Sequence, residues 1–278
     1  MAPSLTITVL VENSVARHDV MAEHGLSFWI DTGKRRILSD TGQSNLIIAN
    51  AKKLNVDLNS VDTVVISHGH YDHTGGLSDV LTEAADKVKI YLHPSAMLPR
   101  YHKSNKVIRE ISMPVQSVNI LQTGKAGVET ITAPTEIAPG ITITGKIPRI
   151  HPEEEDDQGF YLDIGGTKVD RIPDDQSLFM STQAGTVVIL GCAHSGLINT
   201  LDYIHKLTSG QPIVAVMGGM HLQTASDNRI AWTVKSLGRF DIRKFYPVHC
   251  TGAKAVAAIW AAFPGNCFPC GVGTRLEF

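Results

Sequence analysis

Short apolar runs rich in β-branched residues recur along the chain, and most of them end at a polar or glycine-containing turn. Such runs predict β-strands. The predicted strands cover residues 5–11, 26–31, 36–40, 63–66, 89–92, 141–144, 186–190, 213–217 and 245–248. Helical patterns cover residues 45–54, 77–85 and 253–262, and a further helix is expected to begin after Gly196. Strands that alternate with helices predict an α/β fold.

The segment that follows the strand at 63–66 holds a dense group of metal-ligating side chains. Three imidazoles and a carboxylate fall within six consecutive residues, as His68, His70, Asp72 and His73. Side chains alternate along an extended chain, so His68 and His70 are expected to project to the same side. Imidazole nitrogens and carboxylate oxygens are ligands for divalent metals such as Zn, Mn and Fe. The segment therefore predicts a metal site.

The same succession of strand and histidine recurs three times. His194 follows the strand at 186–190, His221 follows 213–217, and His249 follows 245–248. Residues just past the ends of parallel or mixed strands gather at one edge of a sheet. The later histidines are therefore expected to join the metal site. The acid nearest to His221 is Asp227, six residues further on.

The pattern His-x-His-x-Asp-His at 68–73, taken with the later histidines, resembles the signature of the metallo-β-lactamase superfamily. Segments 12–13, 23–27, 39–42, 67–77, 191–197, 218–222 and 246–252 are similar to the branch labelled dihydropterin-methyl-ribofuranosylaminobenzene-phosphate synthase-like, whose members resemble phosphodiester hydrolases. The resemblance implies a four-layer αββα sandwich. A domain boundary near 145–176 is conceivable, but the predicted ligands fall on both sides of it. We therefore expect one domain over residues 1–278.

The resemblance also implies two divalent ions, with Zn expected and Mn or Fe as alternatives. One ion would be held by His68, His70 and His194, and the other by Asp72, His73 and His249. A metal lowers the pKa of a bound water to about 7, which supplies hydroxide at neutral pH. Asp72 could orient this water as well as bind metal. The superfamily commonly has a metal-bridging aspartate where this chain has His221, so His221 is expected to be an acid or hydrogen-bond donor, with a ligand role as the alternative.

Three glycine-containing turns directly follow predicted ligands and precede predicted helices. Each contains a Ser or Thr suited to capping a helix, and helix N-termini favour anions. Lys254, in the first turn of the last helix, is either a contact for an anionic substrate or a solvated lysine. The substrate-binding residues predicted on this basis are Ser195, Thr251 and Lys254. The basic segment 100–103 is a second such cluster or a surface loop, and the acid-rich segment 152–157 is expected to be a solvated loop.

Composition narrows the classes of function further. The chain has 278 residues, 43% of them hydrophobic, and a formal net charge of −2, which gives no electrostatic reason to expect nucleic acid or an anionic membrane as partner. No apolar run approaches the ~20 residues of a membrane span, and the first residues read as a strand rather than a signal peptide, so the cytoplasm is expected. The four cysteines, Cys192, Cys250, Cys267 and Cys270, are expected to be reduced structural thiols.

The sequence thus favours a metal-dependent hydrolase that acts on a small anionic substrate, a phosphoester and preferably a phosphodiester. The same ligands could instead hydrolyse a lactone, a thioester or a β-lactam. Iron could support oxygen chemistry, and a pterin-pathway synthase-like reaction is a further alternative. A metal-binding protein without turnover is the non-enzymatic alternative, although ligands spread over four strand ends do not resemble a closed structural site.

Overall fold

The computed structural model describes residues 5–85, 88–105, 107–154 and 159–278. Its strands are, in chain order, β1 (Thr6–Val11), β2 (Ser27–Asp31), β3 (Arg36–Ser39), β4 (Thr63–Val65), β5 (Lys89–Leu92), β6 (Tyr101–Ser104), β7 (Val107–Glu110), β8 (Gly127–Thr130), β9 (Thr135–Ala138), β10 (Ile141–Ile143), β11 (Phe160–Tyr161), β12 (Leu178–Thr182), β13 (Gly185–Ile189), β14 (Ile213–Gly219), β15 (Lys244–Val248) and β16 (Arg275–Glu277). Its helices are α1 (Leu46–Lys53), α2 (Tyr71–Thr74), α3 (Leu77–Glu83), α4 (Val115–Gln122), α5 (Leu197–Leu207), α6 (Asp227–Leu237) and α7 (Ala253–Ala262). No helix in these ranges is long and apolar enough to span a membrane.

The chain forms two compact units. The first unit comprises Met1–Thr132, Gln158–Asp174 and Gly271–Phe278, and the second comprises Ala133–Asp157 and Asp175–Cys270. The single domain expected over residues 1–278 stays a prediction.

The first unit is built on a seven-stranded sheet with the order β16-β1-β2-β3-β4-β5-β8. The strands from β3 to β8 in this order run parallel, so the turn after β4 lies at the carboxyl edge of the sheet. An apolar core formed with helices α1, α3 and α4 supports the sheet and includes Leu38, Ile47, Val64, Leu77 and Leu121. A small sheet, β11-β6-β7, completes the unit.

The second unit is built on a six-stranded sheet with the order β15-β14-β13-β12-β10-β9. Strands β13, β14 and β15 are parallel neighbours, and their residues are buried almost throughout. Helices α5, α6 and α7 pack through residues such as Leu201, Ile230 and Ile259 onto the same apolar core as Val188, Val216 and Phe245. The carboxyl ends of these three strands therefore share one edge of the sheet.

Most predicted elements are confirmed within one or two residues at each end, and 89–92 and 253–262 match their elements fully. The elements that the sequence does not predict are α2, β11, β12, α6 and β16, together with several in the region between 94 and 140. Four short strands, β6 to β9, and the helix α4 occur there. Strands β6, β7 and β8 have mostly exposed residues, so they lack the alternation of buried and exposed positions that identifies a strand.

Candidate metal centre

In the first unit, the motif that follows β4 brings its ligand atoms together. His68 Nε2 lies 3.0 Å from His70 Nδ1, and the ring centroids of His68 and His73 are 4.2 Å apart. The side chains of Asp72 and His73 project from α2, with His73 Nε2 3.8 Å from Asp72 Oδ2. His68, His70, Asp72 and His73 are all buried. The first unit thus groups all four residues of the predicted motif.

Asp40 fixes the orientation of His73. The Asp40 Oδ2 atom accepts a hydrogen bond of 2.7 Å from His73 Nδ1 and one of 2.7 Å from the Ser67 hydroxyl, while Oδ1 accepts from the Ser67 amide. A carboxylate is an acceptor only, so His73 Nδ1 carries the proton and Nε2 presents its lone pair. A carboxylate on the far nitrogen of an imidazole is the usual support of a metal-ligating histidine. Asp40 therefore has a structural role, because it orients His73 and anchors Ser67.

The geometry of this group fits a divalent ion. Two nitrogen ligands of one tetrahedral Zn ion, at about 2.0–2.1 Å from it, lie about 3.3 Å apart. The observed separation of 3.0 Å between His68 Nε2 and His70 Nδ1 is within a few tenths of an ångström of that value. His68 Nδ1 lies 2.9 Å from the Ser67 hydroxyl, so this ring also has its far nitrogen supported.

His24 is a member of this group that the sequence reasoning did not single out. His24 Nε2 lies 3.1 Å from Asp72 Oδ2, and its side chain is about half exposed at 50%. Its neighbour Glu23 accepts hydrogen bonds from the amides of Gln43 and Ser44 and from the Ser44 hydroxyl, which anchors the loop beneath α2. The sequence marks the segment 23–27 only as part of a family pattern, because nothing local links His24 to Asp72.

A buried arginine holds the other side of the motif. Arg100 is fully buried and pairs with Asp174 at 2.5 Å and with Asp170 at 3.3 Å, and Asp174 also accepts a hydrogen bond of 2.8 Å from the Gly69 amide. A Cβ atom on Gly69 would lie 1.9 Å from the Ala96 carbonyl oxygen, so only glycine fits there. The surface-loop alternative for 100–103 is therefore wrong at Arg100, because two carboxylates compensate its buried charge.

In the second unit, the predicted ligands follow β13, β14 and β15 at one sheet edge. His194 and His249 are buried, and His221 lies with its ring centroid 4.2 Å from that of His194. Ala193, His221 and His249 have φ values of 54°, 46° and 55°. Left-handed backbone is costly for residues other than glycine and concentrates at functional sites. The positive φ angles set the directions in which the side chains after each strand project.

The two glycines before His221, Gly218 and Gly219, allow close approach of the backbone. A Cβ atom on Gly218 would lie 2.3 Å from the Leu190 carbonyl oxygen. One on Gly219 would lie 2.6 Å from Cys250 Sγ and 2.7 Å from the Gly191 carbonyl oxygen. The lack of a side chain at Gly219, the last residue of β14, therefore leaves space for the Cys250 sulfur atom.

Two cysteines join His221 at this edge. The ligand atoms of Cys192, His221 and Cys250 all lie within 4.8 Å of one another, and the Cys250 thiol donates to the Cys192 carbonyl at 3.7 Å. Burial opposes ionisation of Cys250, but hydrogen bonds with Cys192 and His221 and the charge of His249 hold its pKa well below the usual range. The thiols are free, as the sequence predicts, but the sequence does not indicate that two of them group with His221.

Helix α5 begins after Gly196 as predicted, but its first turn is not capped by a Ser or Thr hydroxyl. Helix α5 has Gly196 at its N-cap, and its first amides are bound by Glu154, which accepts from Ile198 at 3.0 Å and from Asn199 at 2.7 Å. Glu154 is buried and lies 3.5 Å from Arg229, so the solvated-loop expectation for 152–157 is wrong at this residue. Burial raises the pKa of Glu154. Residues 155–157 lie outside the described residues.

The three predicted substrate contacts have other partners in the second unit. The Ser195 amide donates to Asp175 at 2.8 Å, and the buried Thr251 hydroxyl donates to the Val248 carbonyl at 2.7 Å. Lys254 pairs with Asp227 on the surface. Capping by a Ser or Thr hydroxyl is wrong at all three helices, because Gly76, Gly196 and Gly252 hold the N-caps of α3, α5 and α7 without a side-chain bond. Substrate contact by Ser195, Thr251 and Lys254 stays a prediction.

Comparison with known proteins decides the family. The family model described as metallo-beta-lactamase superfamily matches residues 21–249. The chain belongs to the metallo-β-lactamase superfamily. It is 31% identical over 251 residues, 84% of this chain and 83% of the relative, to 7,8-dihydropterin-6-methyl-4-(beta-D-ribofuranosyl)-aminobenzene-5'-phosphate synthase of Methanocaldococcus jannaschii. It is 33% identical to the uncharacterized protein MJ0448 of the same organism, over 91% of this chain and 93% of that protein.

A solved structure supports the same conclusion. Tm1679, described as a metal-dependent hydrolase of the beta-lactamase superfamily, aligns with a TM-score of 0.83 and 30% identity over 99% of each chain. The α/β fold of the metallo-β-lactamase type predicted from the sequence is thereby confirmed. The superfamily uses divalent metals, and this member contains histidine, aspartate and cysteine groups that could bind one.

Proposed function

We propose that the protein is a metal-dependent hydrolase that acts on a small phosphoester, with a phosphodiester preferred. The observation that carries the proposal is the convergence of His68 Nε2 and His70 Nδ1 beside a His73 ring that Asp40 orients. The ligand sets are those predicted from the sequence, with two Zn ions expected and Mn or Fe as alternatives.

A divalent ion would supply a Lewis acid and a water of lowered pKa in this site. The side chains of the protein orient the metal ligands and the water. Asp40 keeps the His73 proton on Nδ1, which leaves Nε2 as the donor atom towards the site. Asp72 Oδ2, which lies in the first turn of α2 beside His24, would accept a hydrogen bond from the attacking water and hold it in place.

The phosphoester preference rests on one relative and on general chemistry. The name of the Methanocaldococcus relative includes a ribofuranosyl 5'-phosphate, so a phosphate group belongs to the chemistry for which that protein is named. Two divalent ions suit in-line displacement at phosphorus because they stabilise both the entering and the leaving oxygens. The same name makes a pterin-pathway synthase-like reaction the second candidate.

The proposal is tested with the full chain stripped of metal and reconstituted with Zn, Mn or Fe. Each form is assayed against phosphodiesters, phosphomonoesters, thioesters and lactones. We expect a phosphodiester to give the highest kcat/KM. His68→Ala should lose metal and nearly all turnover, whereas His205→Ala, a change at an exposed histidine of α5, should keep both.

Three results would contradict the proposal. If a thioester or a lactone gives the highest turnover, the protein catalyses a hydrolysis other than that of a phosphoester. Turnover of none of these esters by fully metal-loaded protein would favour the synthase-like candidate. Full metal content in His68→Ala would show that this histidine is not a ligand.

A further inference from the structure

Cys192, His221 and Cys250 form a cluster at the carboxyl ends of β13, β14 and β15, and the proposed hydrolysis gives its two thiols no role. We propose that this thiol cluster is a metal site of the Cys₂His type, which binds Zn through two thiolates and one imidazole. The inference does not depend on the hydrolytic activity proposed above. It makes His221 a ligand instead of the proton donor favoured from the sequence.

The spacing of the thiol cluster suits a single ion. Ligands of tetrahedral Zn, at about 2.3 Å for sulfur and about 2.0–2.1 Å for nitrogen, lie about 3.6–3.8 Å from one another where sulfur is involved. All three ligand atoms lie within 4.8 Å of one another, so closure around an ion requires movements of no more than about 1 Å. Side-chain rotation can supply such movements without a change of the backbone.

The backbone around the thiol cluster is shaped for it. The strained residue Ala193 follows Cys192 directly, and His221 itself and His249, which precedes Cys250, are also left-handed. Gly219 has no Cβ atom, and one built there would lie 2.6 Å from Cys250 Sγ. Three strand ends thus adopt costly conformations at the residues that carry or adjoin the ligands.

Packing alone explains a different cysteine of the same unit. Cys267 belongs to the apolar core with Phe245 and Ile259, and burial raises the pKa of its thiol. Cys192 and Cys250 are equally buried, but their neighbour is the polar His221 ring. A thiol that serves only for packing needs no imidazole within ligand distance, whereas a Cys₂His metal site requires one.

The ligand set determines the kind of metal and the chemistry available to it. Thiolates favour Zn over Mg, Ca or Mn. Three protein ligands leave a fourth tetrahedral position for water or substrate, as in catalytic Zn sites. The thiol cluster would therefore differ in metal preference from a site of histidines and carboxylates.

X-ray absorption of the Zn-loaded full chain tests the inference directly. We expect a sulfur shell at about 2.3 Å. Co(II) substitution should give a thiolate-to-metal charge-transfer band, and this band should fall by about half or disappear in Cys192→Ser and in Cys250→Ser, because each change removes one of two thiolates. His221→Ala should keep the band while Co(II) affinity falls roughly tenfold or more.

Cys267→Ser is the matched control, because it changes a buried thiol of the same unit that lies in the apolar core. It should leave the band unchanged. If the band disappears in Cys267→Ser and persists in Cys192→Ser and Cys250→Ser, the thiolates belong to the Cys267-x-x-Cys270 segment and the inference is wrong. A metal shell of nitrogen and oxygen alone in wild-type protein overturns it without any variant, even where a serine variant does not fold.

The two proposals fail separately. A sulfur shell in protein that hydrolyses no ester supports the thiol cluster and removes the hydrolase proposal. Hydrolysis by protein whose metal shell contains no sulfur supports the hydrolase proposal and removes the thiol cluster.

Discussion

Asp40→Asn is the sharpest test of how the first unit prepares a metal ligand. The substitution keeps the size and shape of the side chain but replaces an acceptor with an NH₂ donor. Residue 40 has a φ of 58°, a conformation that Asn tolerates well, so the backbone should not move. The Asn carbonyl can still accept from the Ser67 amide, as Oδ1 does at 2.7 Å.

The effect on His73 follows from the contact at Oδ2. His73 Nδ1 and the Ser67 hydroxyl both lie 2.7 Å from that oxygen. An amide nitrogen at this position donates, so His73 Nδ1 must become the acceptor and the ring proton moves to Nε2. A metal must then displace that proton. Loss of such a supporting group lowers metal affinity about 10–100-fold, which corresponds to about 1.4–2.7 kcal/mol.

The assay is competition for Zn between the apo protein and a chromophoric chelator, with circular dichroism to verify the fold. Asp79→Asn is the control, because it removes one carboxylate from the first turn of α3 in the same unit. It should cost at most about 1 kcal/mol of stability and leave affinity unchanged. Wild-type affinity in folded Asp40→Asn would refute the tautomer argument or the ligand role of His73.

Three further outcomes follow from other contacts. Arg100→Met leaves two buried aspartates uncompensated and should lower the free energy of unfolding in urea by about 3–5 kcal/mol, and an unchanged midpoint would contradict the buried pairing. Gly69→Ala places a Cβ atom 1.9 Å from the Ala96 carbonyl oxygen, so it should cost about 1–3 kcal/mol and weaken Zn binding, measured by the same competition. Burial raises the folded-state pKa of Glu154 above 4.5, so its contribution is present below pH 4.5 and lost as pH rises through the folded value. The stability of wild type relative to Glu154→Gln should therefore fall as pH rises above 4.5, and a difference independent of pH would contradict it.

The strand ends and their histidines could be predicted because both signals are local. A run such as 186–190 is apolar and β-branched, and the residue type that follows it can be read directly. The position of His68 beside His70 follows from alternation along an extended chain. These signals require no knowledge of which distant segments meet.

The supporting contacts could not be predicted, because each of them joins residues that are far apart in the sequence. Asp174 reaches Gly69 across 105 residues of sequence, and Glu154 reaches Ile198 across 44. Acids in loops are usually solvated, so an acidic run gives no indication that one member caps a buried helix. Arg100 likewise reads as surface charge until its two carboxylates are located in the fold.

The thiol cluster could not be predicted, because its local signals are ambiguous and its contacts join distant segments. Cys192 and Cys250 stand 58 residues apart, and each alone can be read as a small buried residue beside a histidine. Their meaning depends on the parallel pairing of β13 with β14 and of β14 with β15, and on left-handed turns at residues where sequence gives little warning of positive φ. Such turns cost roughly 1–2 kcal/mol each, and apolar packing gains nothing from three of them at one sheet edge. A site that must hold its ligands in fixed directions does gain from such turns, so their position supports the thiol cluster that we propose.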